Sequence, residues 1–277
     1  MSGHSFRSDL SQTESLTWVY LTYHDIIVTR DGSIGVIQLN RPKALNALSE
    51  SLMSELVDAL EEFEKDDAVS AIILTGCERC FATGIDLKEL AQTNHKNLML
   101  SRRLELWDRL RKISKPIIGA VSGYCLGGGN ELIMNCDIVI ASETASFGQP
   151  EVNIGLIPGA GGTQRLTKIV GKFRAMEMIL TGKSISAQEA YTLGLATKIL
   201  PFKDLLPEAK KIGNEIASKA PMVVRIAKEA ILKAEDPNMQ VGLEFERKMF
   251  DMLIATDDAK EGIRAFLEKR KPVFKGQ

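Results

Sequence analysis

Cysteine, histidine and one-sided charge are all scarce in this chain. Its 277 residues include four Cys and three His. Cys77 and Cys80 form a lone C-x-x-C, with no second pair and no histidines at zinc spacing (His4, His24 and His95). A zinc module is therefore not indicated, and the four thiols, with Cys125 and Cys136, read as reduced residues of an intracellular protein. The net charge is −1, so no basic field is available to collect nucleic acid or an anionic membrane. No run approaches the roughly 18 apolar residues that span a bilayer. Residues 1–23 lack the apolar stretch of a secretory signal, and with Asp9 and Glu14 they are not the acid-poor, Arg-rich segment of a transit peptide. They read as a flexible terminus, either mature after cleavage or native to the cytosol. The end, Phe274-Lys275-Gly276-Gln277, is not a peroxisomal S-K-L. Fixed-period repeats, a G-x-G-x-x-G and a P-loop are also missing.

Apolar residues make up 44% of the chain, enough for a real core. The stretch from Lys115 to Thr163 carries most of the chemistry. Gly127, Gly128 and Gly129 leave backbone N–H groups bare, and Glu131 follows where a helix is expected to start. Glu151 comes after a second apolar strand, ahead of another glycine-rich turn at Pro158–Gly162. Glycine turns before helices attract negative charge, either a phosphate or the oxyanion of an activated carbonyl. Asn130 and Glu131 stand where a P-loop has Lys and Ser/Thr. A carboxylate there repels phosphate and suits proton transfer beside an oxyanion hole. A tight turn with a solvated Glu accounts for the stretch equally well when it is read alone.

The rest of the chain divides in two. Ile26–Val28 and Ile34–Leu39 read as a hairpin around Asp31-Gly32-Ser33. Ser49 caps a helix with Leu52, Leu56, Leu60 and Phe63 on one face. Ala71–Leu74, Ile117–Val121, Ile138–Ala141 and Ala196–Leu200 are expected strands. A helix over about 97–112 carries Leu100, Leu104, Trp107 and Leu110 as a core stripe, and a later one puts Ala175, Met176, Ile179 and Leu180 on one face. Phe81–Asp86 reads as a second glycine-containing loop. After Pro201 only helices are expected, over about 203–219, 221–234, 239–254 and 257–270. The boundaries are thus a segment 1–23, a strand-bearing core 24–202 and a helical segment 203–277.

Five blocks then carry a resemblance. They are Asn40-Arg41-Pro42-Lys43-Ala44-Leu45-Asn46-Ala47, Phe81 to Asp86, Gly123 to Glu131, Phe147 to Glu151, and Gly155 to Thr163. In this order they resemble the crotonase (enoyl-CoA hydratase/isomerase) superfamily, most closely its short-chain enoyl-CoA hydratases, over about residues 24–277. The resemblance implies an α/β fold, a spiral of ββα units followed by a helical C-terminal segment that serves trimerisation. It implies a homotrimer or homohexamer, an acyl-CoA thioester as substrate, no nucleic acid or membrane partner, and neither metal nor separate cofactor, since CoA arrives with the substrate. It implies a place in fatty-acid or branched-chain acyl-CoA breakdown, in the mitochondrial matrix or the cytoplasm.

It also assigns residues. The backbone N–H groups of Ile85 and Gly128 hold the thioester oxygen; donors of this kind each lower a barrier by about 3 to 4 kcal/mol. Glu131 deprotonates the water that attacks C3, and Glu151 delivers a proton to C2. Lys43, Ala44 and Leu45 match the first CoA-binding loop. Ala82, Thr83 and Ile85 match positions near the adenine, and Asp86 belongs to the same substrate-binding loop. Lys88 matches a phosphate contact; Phe266 and Lys269 match positions that reach a neighbouring subunit's CoA. For Lys88 and Lys269 a solvated side chain is the competing account. Gln149 and Gly159 support the glutamates and the water. The chain departs from the family's F-A-A-G-A-D at Thr83 and Ile85, which bears on the shape of the pocket, and has Asn130 where close hydratases often carry Cys. An isomerase of the same fold usually keeps only one of the two glutamates. An RNA-binding member would use a basic helix, for which Arg102, Arg103, Arg109, Arg111 and Lys112 are the candidates, offset by Glu105 and Asp108.

Overall fold

The computed structural model describes residues 18–19, 23–92, 102–235 and 238–277. The expected hairpin forms as β2 (Ile26–Asp31) and β3 (Ile34–Leu39), joined at Gly32-Ser33. Gly32 takes a φ of 58°, which a residue with a Cβ rarely adopts. Trp18–Val19 (β1), inside the segment expected to be flexible, pairs with β2. From β3 the sheet continues in parallel through β4 (Ala71–Thr75), β6 (Ile117–Val121), β8 (Ile138–Ser142) and β11 (Lys198–Leu200). Strands β4 and β6 read as continuous apolar runs because both faces of this sheet are covered.

The strands of a second sheet were not read from the residues themselves, although the resemblance implies two strands per turn. That sheet has the order β10 (Ile185–Ser186), β9 (Ser146–Gly148), β7 (Tyr124–Leu126), β5 (Cys80–Ala82). Its strands are two or three residues long, too short to show a period of two. Three strands of the large sheet are each followed by one of the small sheet: β4 by β5, β6 by β7, β8 by β9. The chain then returns through α2 (Leu87–Gln92) and α3 (Arg103–Leu110), or through α4 (Gly128–Ile133), so the path is a spiral of ββα turns. Every turn brings a loop at the end of a short strand to the same side of the molecule.

Helix α1 (Glu50–Lys65) forms as expected. Ser49 accepts a bond from the Leu52 nitrogen at 3.1 Å, and Leu52, Leu56, Leu60 and Phe63 are at most 1% exposed. Helix α3 is shorter than the expected 97–112, of which 97–101 lie outside the described residues. It buries Leu106, Trp107 and Leu110, while Leu104, expected in the core, is 71% exposed. Helix α5 (Gly162–Val170) leads to α6 (Lys172–Thr181), which differs in the same way. Ala175 and Met178 are buried and Ile179 packs against the core, whereas Met176 and Leu180 face outward.

Helices α8 (Phe202–Ala217), α9 (Pro221–Leu232), α10 (Met239–Leu253) and α11 (Asp257–Leu267) follow α7 (Ala187–Thr192). Leu205 and Ala209 of α8 pack with Ile34, Ile73, Ile118 and Ile140 on the outer face of the large sheet. The first helix beyond residue 202 therefore completes the core. Helices α10 and α11 stand apart, with Phe250, Ile254, Ile263, Phe266 and Leu267 all more than half exposed.

Candidate active site

Strand β5 runs into the loop Thr83–Asp86. Leu48 bridges this loop from the side: its nitrogen donates to the Gly84 carbonyl at 2.7 Å, and its carbonyl accepts from the Asp86 nitrogen at 3.2 Å. These bonds use the groups on either side of Ile85, and among the described residues no acceptor takes the Ile85 N–H. Asp86 is held between the Arg41 guanidinium at 3.0 Å and the nitrogens of Lys88 and Glu89 at 3.0 and 3.4 Å. Burial opposes the charge on its carboxylate, but Arg41 and the two amides outweigh it, leaving Asp86 below the usual range. Asp86 thus secures the loop and caps α2 with its own carboxylate.

The first matching block clasps the same loop. Asn46, 1% exposed and at φ 52°, donates to the Phe81 and Cys80 carbonyls at 2.9 and 3.2 Å and accepts from the Arg41 nitrogen at 2.8 Å. The Leu45 carbonyl accepts from the Thr83 hydroxyl at 3.2 Å and the Cys80 thiol at 3.0 Å. Arg41 and Asn46 are positioning residues that sequence reasoning did not single out. Each lies inside a matching block, but only the fold shows what its polar atoms reach. Lys43 and Lys88 are exposed at the rim, Ala44 and Leu45 are half-buried, and Ala82 is buried.

Strand β7 delivers the second donor. Gly127 (φ 52°, ψ −126°) precedes α4, which starts at Gly128, three residues before the expected start at Glu131. Gly127 donates to the Gly148 carbonyl at 2.9 Å, and the Gly128 N–H has no acceptor among the described residues. The two free donors are close. A methyl built on Gly84 would lie 3.3 Å from the Gly128 nitrogen, and one on Gly128 would lie 3.6 Å from the Ile85 nitrogen. Two such N–H groups at adjacent loop ends are what an oxyanion requires.

Because α4 starts among the glycines, Glu131 sits one turn inside it and is 3% exposed. Its Oε1 accepts from the nitrogens of Ala160 and Gly162, both at 2.7 Å. Burial raises its pKa, and these amides together with the charge of Arg165 pull it back. Glu151 opens the short 3-10 turn after β9. Its carboxylate lies against the glycine turn, since a methyl on Gly127 would come within 3.0 Å of its Oε1. With its amide nitrogen turned toward the carboxylate, the buried Gln149 donates to both Glu151 oxygens at 3.0 and 3.2 Å. Burial and the nearby Glu131 charge push the Glu151 carboxyl up to about 7, while its own backbone nitrogen and the Gln149 amide favour the ionised form and pull the other way. The fold therefore places two carboxyls of different proton affinity beside two free backbone donors, which suits the transfer of one proton to carbon and another from water.

Other expected residues lie apart or do something else. Gly159 borders a cavity of about 310 Å³ with Trp107 and Ala160. Asn130 is fully buried, and neither atom of its amide bonds to a protein group. Phe266 and Lys269 are exposed, and the polar contacts described for residues 257–277 stay within the segment 256–277. The four cysteines are free; burial pushes the Cys80 thiol up to about 12, away from reactivity. Among the described residues, no three His, Cys, Asp or Glu side chains gather to hold a metal ion, and no helix is long and apolar enough to cross a membrane. Arg102, Arg103, Arg109 and Arg111 each pair with an acid: Glu105, Glu89, Asp58 and Glu61, and Asp108.

Comparisons with known proteins point to one family. A family model described as enoyl-CoA hydratase/isomerase matches residues 29–277. The mitochondrial enoyl-CoA hydratase of Pongo abelii is 50% identical over 248 residues, covering 90% of this chain and 86% of its own. The 2,3-dehydroadipyl-CoA hydratase of Escherichia coli K12 is 43% identical over 253 residues, covering 91% and 99%. The crystal structure of an enoyl-CoA hydratase from Bacillus anthracis superposes with a TM-score of 0.87 at 39% identity, covering 92% of this chain and 100% of that one. With the ββα spiral, the two free donors, the buried Glu131 and the half-buried Glu151 in place, this chain belongs to the enoyl-CoA hydratase/isomerase (crotonase) family.

Proposed function

We propose that the chain hydrates 2-enoyl-CoA thioesters to 3-hydroxyacyl-CoA. The observation that carries this is the asymmetric carboxyl pair beside the Ile85 and Gly128 nitrogens. Glu131, held by two amides, is the better kept ionised; Glu151, at about 7, is still half-protonated near neutral pH. In this reading the thioester oxygen lies between the two N–H donors. Glu131 takes one proton from water, and the water oxygen bonds to C3. The electrons of the double bond move onto the thioester as enolate charge, and Glu151 returns a proton to C2. The net change is the addition of one water. Gln149 holds the Glu151 carboxyl toward the glycine turn, and the Gly159–Gly162 turn holds Glu131.

CoA comes with the substrate, and no step in this scheme calls for a metal or redox group. Lys43, Ala44, Leu45, Ala82, Thr83 and Lys88 line the loops on which the CoA moiety would lie. The exposed apolar surfaces of α10 and α11 support assembly of the chain with copies of itself, as a homotrimer or homohexamer. In such an assembly Phe266 and Lys269 would face a neighbour's CoA. We place the protein in the mitochondrial matrix or the cytoplasm, in acyl-CoA breakdown; relatives include a protein named as mitochondrial and bacterial ones.

The test is product analysis after incubation with crotonyl-CoA. A product heavier by one water, lost by at least about a hundredfold in Glu131→Gln, is expected. Glutamine still offers an oxygen to the Ala160 and Gly162 nitrogens, so the loop survives while the base does not. A shifted double bond with no added water would replace the hydratase reading with an isomerase one.

A further inference from the structure

Cys77 and Cys80, which the hydration scheme does not use, face each other across the two-residue turn Glu78-Arg79. They exchange both backbone bonds. The Cys77 nitrogen donates to the Cys80 carbonyl at 2.9 Å, and the Cys80 nitrogen donates to the Cys77 carbonyl at 3.2 Å. An antiparallel pair of this kind holds its Cα atoms about 5.5 Å apart with both side chains on one face. That lies within the span of roughly 4.4–6.8 Å that a disulfide needs. The turn is also anchored from outside. The Ser122 hydroxyl donates to the Glu78 carbonyl at 2.6 Å, and the Tyr124 nitrogen donates to the Arg79 carbonyl at 3.1 Å. The two cysteines are therefore kept opposite each other.

Their settings differ. Cys77 is partly exposed, beside the exposed Glu78 and Arg79. Cys80 is fully buried at the start of β5, and its thiol donates to the Leu45 carbonyl at 3.0 Å and the Tyr124 carbonyl at 3.5 Å. Burial first, and the Cys77 sulfur second, push this thiol up to about 12. Cys80 therefore keeps its proton, and that proton ties β5 to Leu45. The same Leu45 carbonyl accepts from Thr83, in the loop that carries the Ile85 donor.

We propose that Cys77 and Cys80 close a reversible disulfide that slows the catalytic site, with a small-molecule disulfide as the oxidant. The slowing rests on the hydratase reading; the bond itself does not. The Cys77 thiolate attacks the oxidant, forms a mixed disulfide and expels one thiolate. Cys80 then gives up its proton and attacks the Cys77 sulfur, expelling the second. The protein loses two hydrogens, and the oxidant is reduced to two thiols. The buried Cys80 makes the second step slow, and the fixed proximity across the turn drives it. A disulfide sulfur has no proton to donate. Leu45 and Tyr124 therefore lose their Cys80 contacts, and the oxyanion loop loses one of its ties.

The experiment incubates the whole protein with oxidised glutathione, maps its cysteines by mass spectrometry and follows crotonyl-CoA hydration. The expected result is a Cys77–Cys80 bond, a several-fold lower kcat/KM and full recovery with dithiothreitol. Cys77→Ser should hydrate as the unmodified protein does and should not respond to the oxidant. Cysteines that stay reduced, or a glutathione adduct on Cys77 that never resolves, would overturn the proposal. So would a bond that leaves the rate unmoved, or equal inactivation of Cys77→Ser. The mapping needs no turnover, so it decides the bond even if Cys77→Ser fails to fold. Failure of the reduced protein to hydrate crotonyl-CoA would overturn the hydratase reading, and with it the slowing but not a mapped bond.

Discussion

Replacing Glu151 by Gln should make the protein more stable at alkaline pH while disabling it. The folded state holds this carboxyl at about 7, against an ordinary 4.5, chiefly because burial penalises the anion and secondly because Glu131 lies near. A folded value above the unfolded one means the folded state binds the proton more tightly. The cost of ionising Glu151 is therefore absent below pH 4.5, grows as pH rises, and is complete above pH 7. The interval between the two values corresponds to about 3 kcal/mol. Glutamine keeps the volume and carries no charge. One of the two Gln149 contacts, at 3.0 and 3.2 Å, survives through its oxygen; the other, at about 1 kcal/mol, offsets part of the gain. Above pH 8 the variant should exceed the unmodified protein by about 2 kcal/mol, and the difference should shrink to zero or reverse by pH 4.5. Urea denaturation at fixed protein concentration across that range measures it. A gap that does not change with pH would refute the assignment of the raised pKa to Glu151.

The same titration shapes the rate. In the hydration direction Glu151 must be protonated and Glu131 ionised, so kcat/KM should fall as pH rises through about 7 and fall again on the acid side; the two limbs belong to the pair and shift together if either residue is replaced. A profile flat from pH 6 to 9 would contradict this. Gly129→Ala should destabilise the protein severely, by about 3 kcal/mol or more, because its methyl would stand 2.3 Å from the Ala82 carbonyl oxygen on the neighbouring strand; thermal unfolding reads it directly. Diluting the protein until it dissociates should weaken CoA binding if Lys269 serves a neighbouring copy, and an affinity independent of concentration would remove it from the site.

How much of this was legible beforehand depended on element length. The Leu52-Leu56-Leu60-Phe63 stripe and the Ser49 cap specify α1 locally, and the apolar runs at 71–74 and 117–121 specify buried strands. The second sheet was not legible, since Cys80–Ala82, Tyr124–Leu126 and Ser146–Gly148 are too short to carry a pattern. Yet those strands aim the loops that carry the free Ile85 and Gly128 donors. Leu104, Met176 and Leu180 fall on plausible helical stripes, but the covering element that would bury them is absent from the described chain. Glu131 and Glu151 were visible as carboxylates near glycines. The bonds from Glu131 to Ala160 and Gly162, 29 and 31 positions away, are a property of the spiral and not of spacing. Asn46 and Arg41 sat in a matching block whose polar contacts only the fold could reveal.

The most direct measurement is the loss of conjugated enoyl-thioester absorbance from crotonyl-CoA, followed for the unmodified protein and Glu151→Gln side by side at pH 7. The account predicts rapid loss with the first and at least about a hundredfold slower loss with the second, although the second folds normally. Equal rates in the two would contradict the role of Glu151 and, with it, the acid–base pair at the centre of the account.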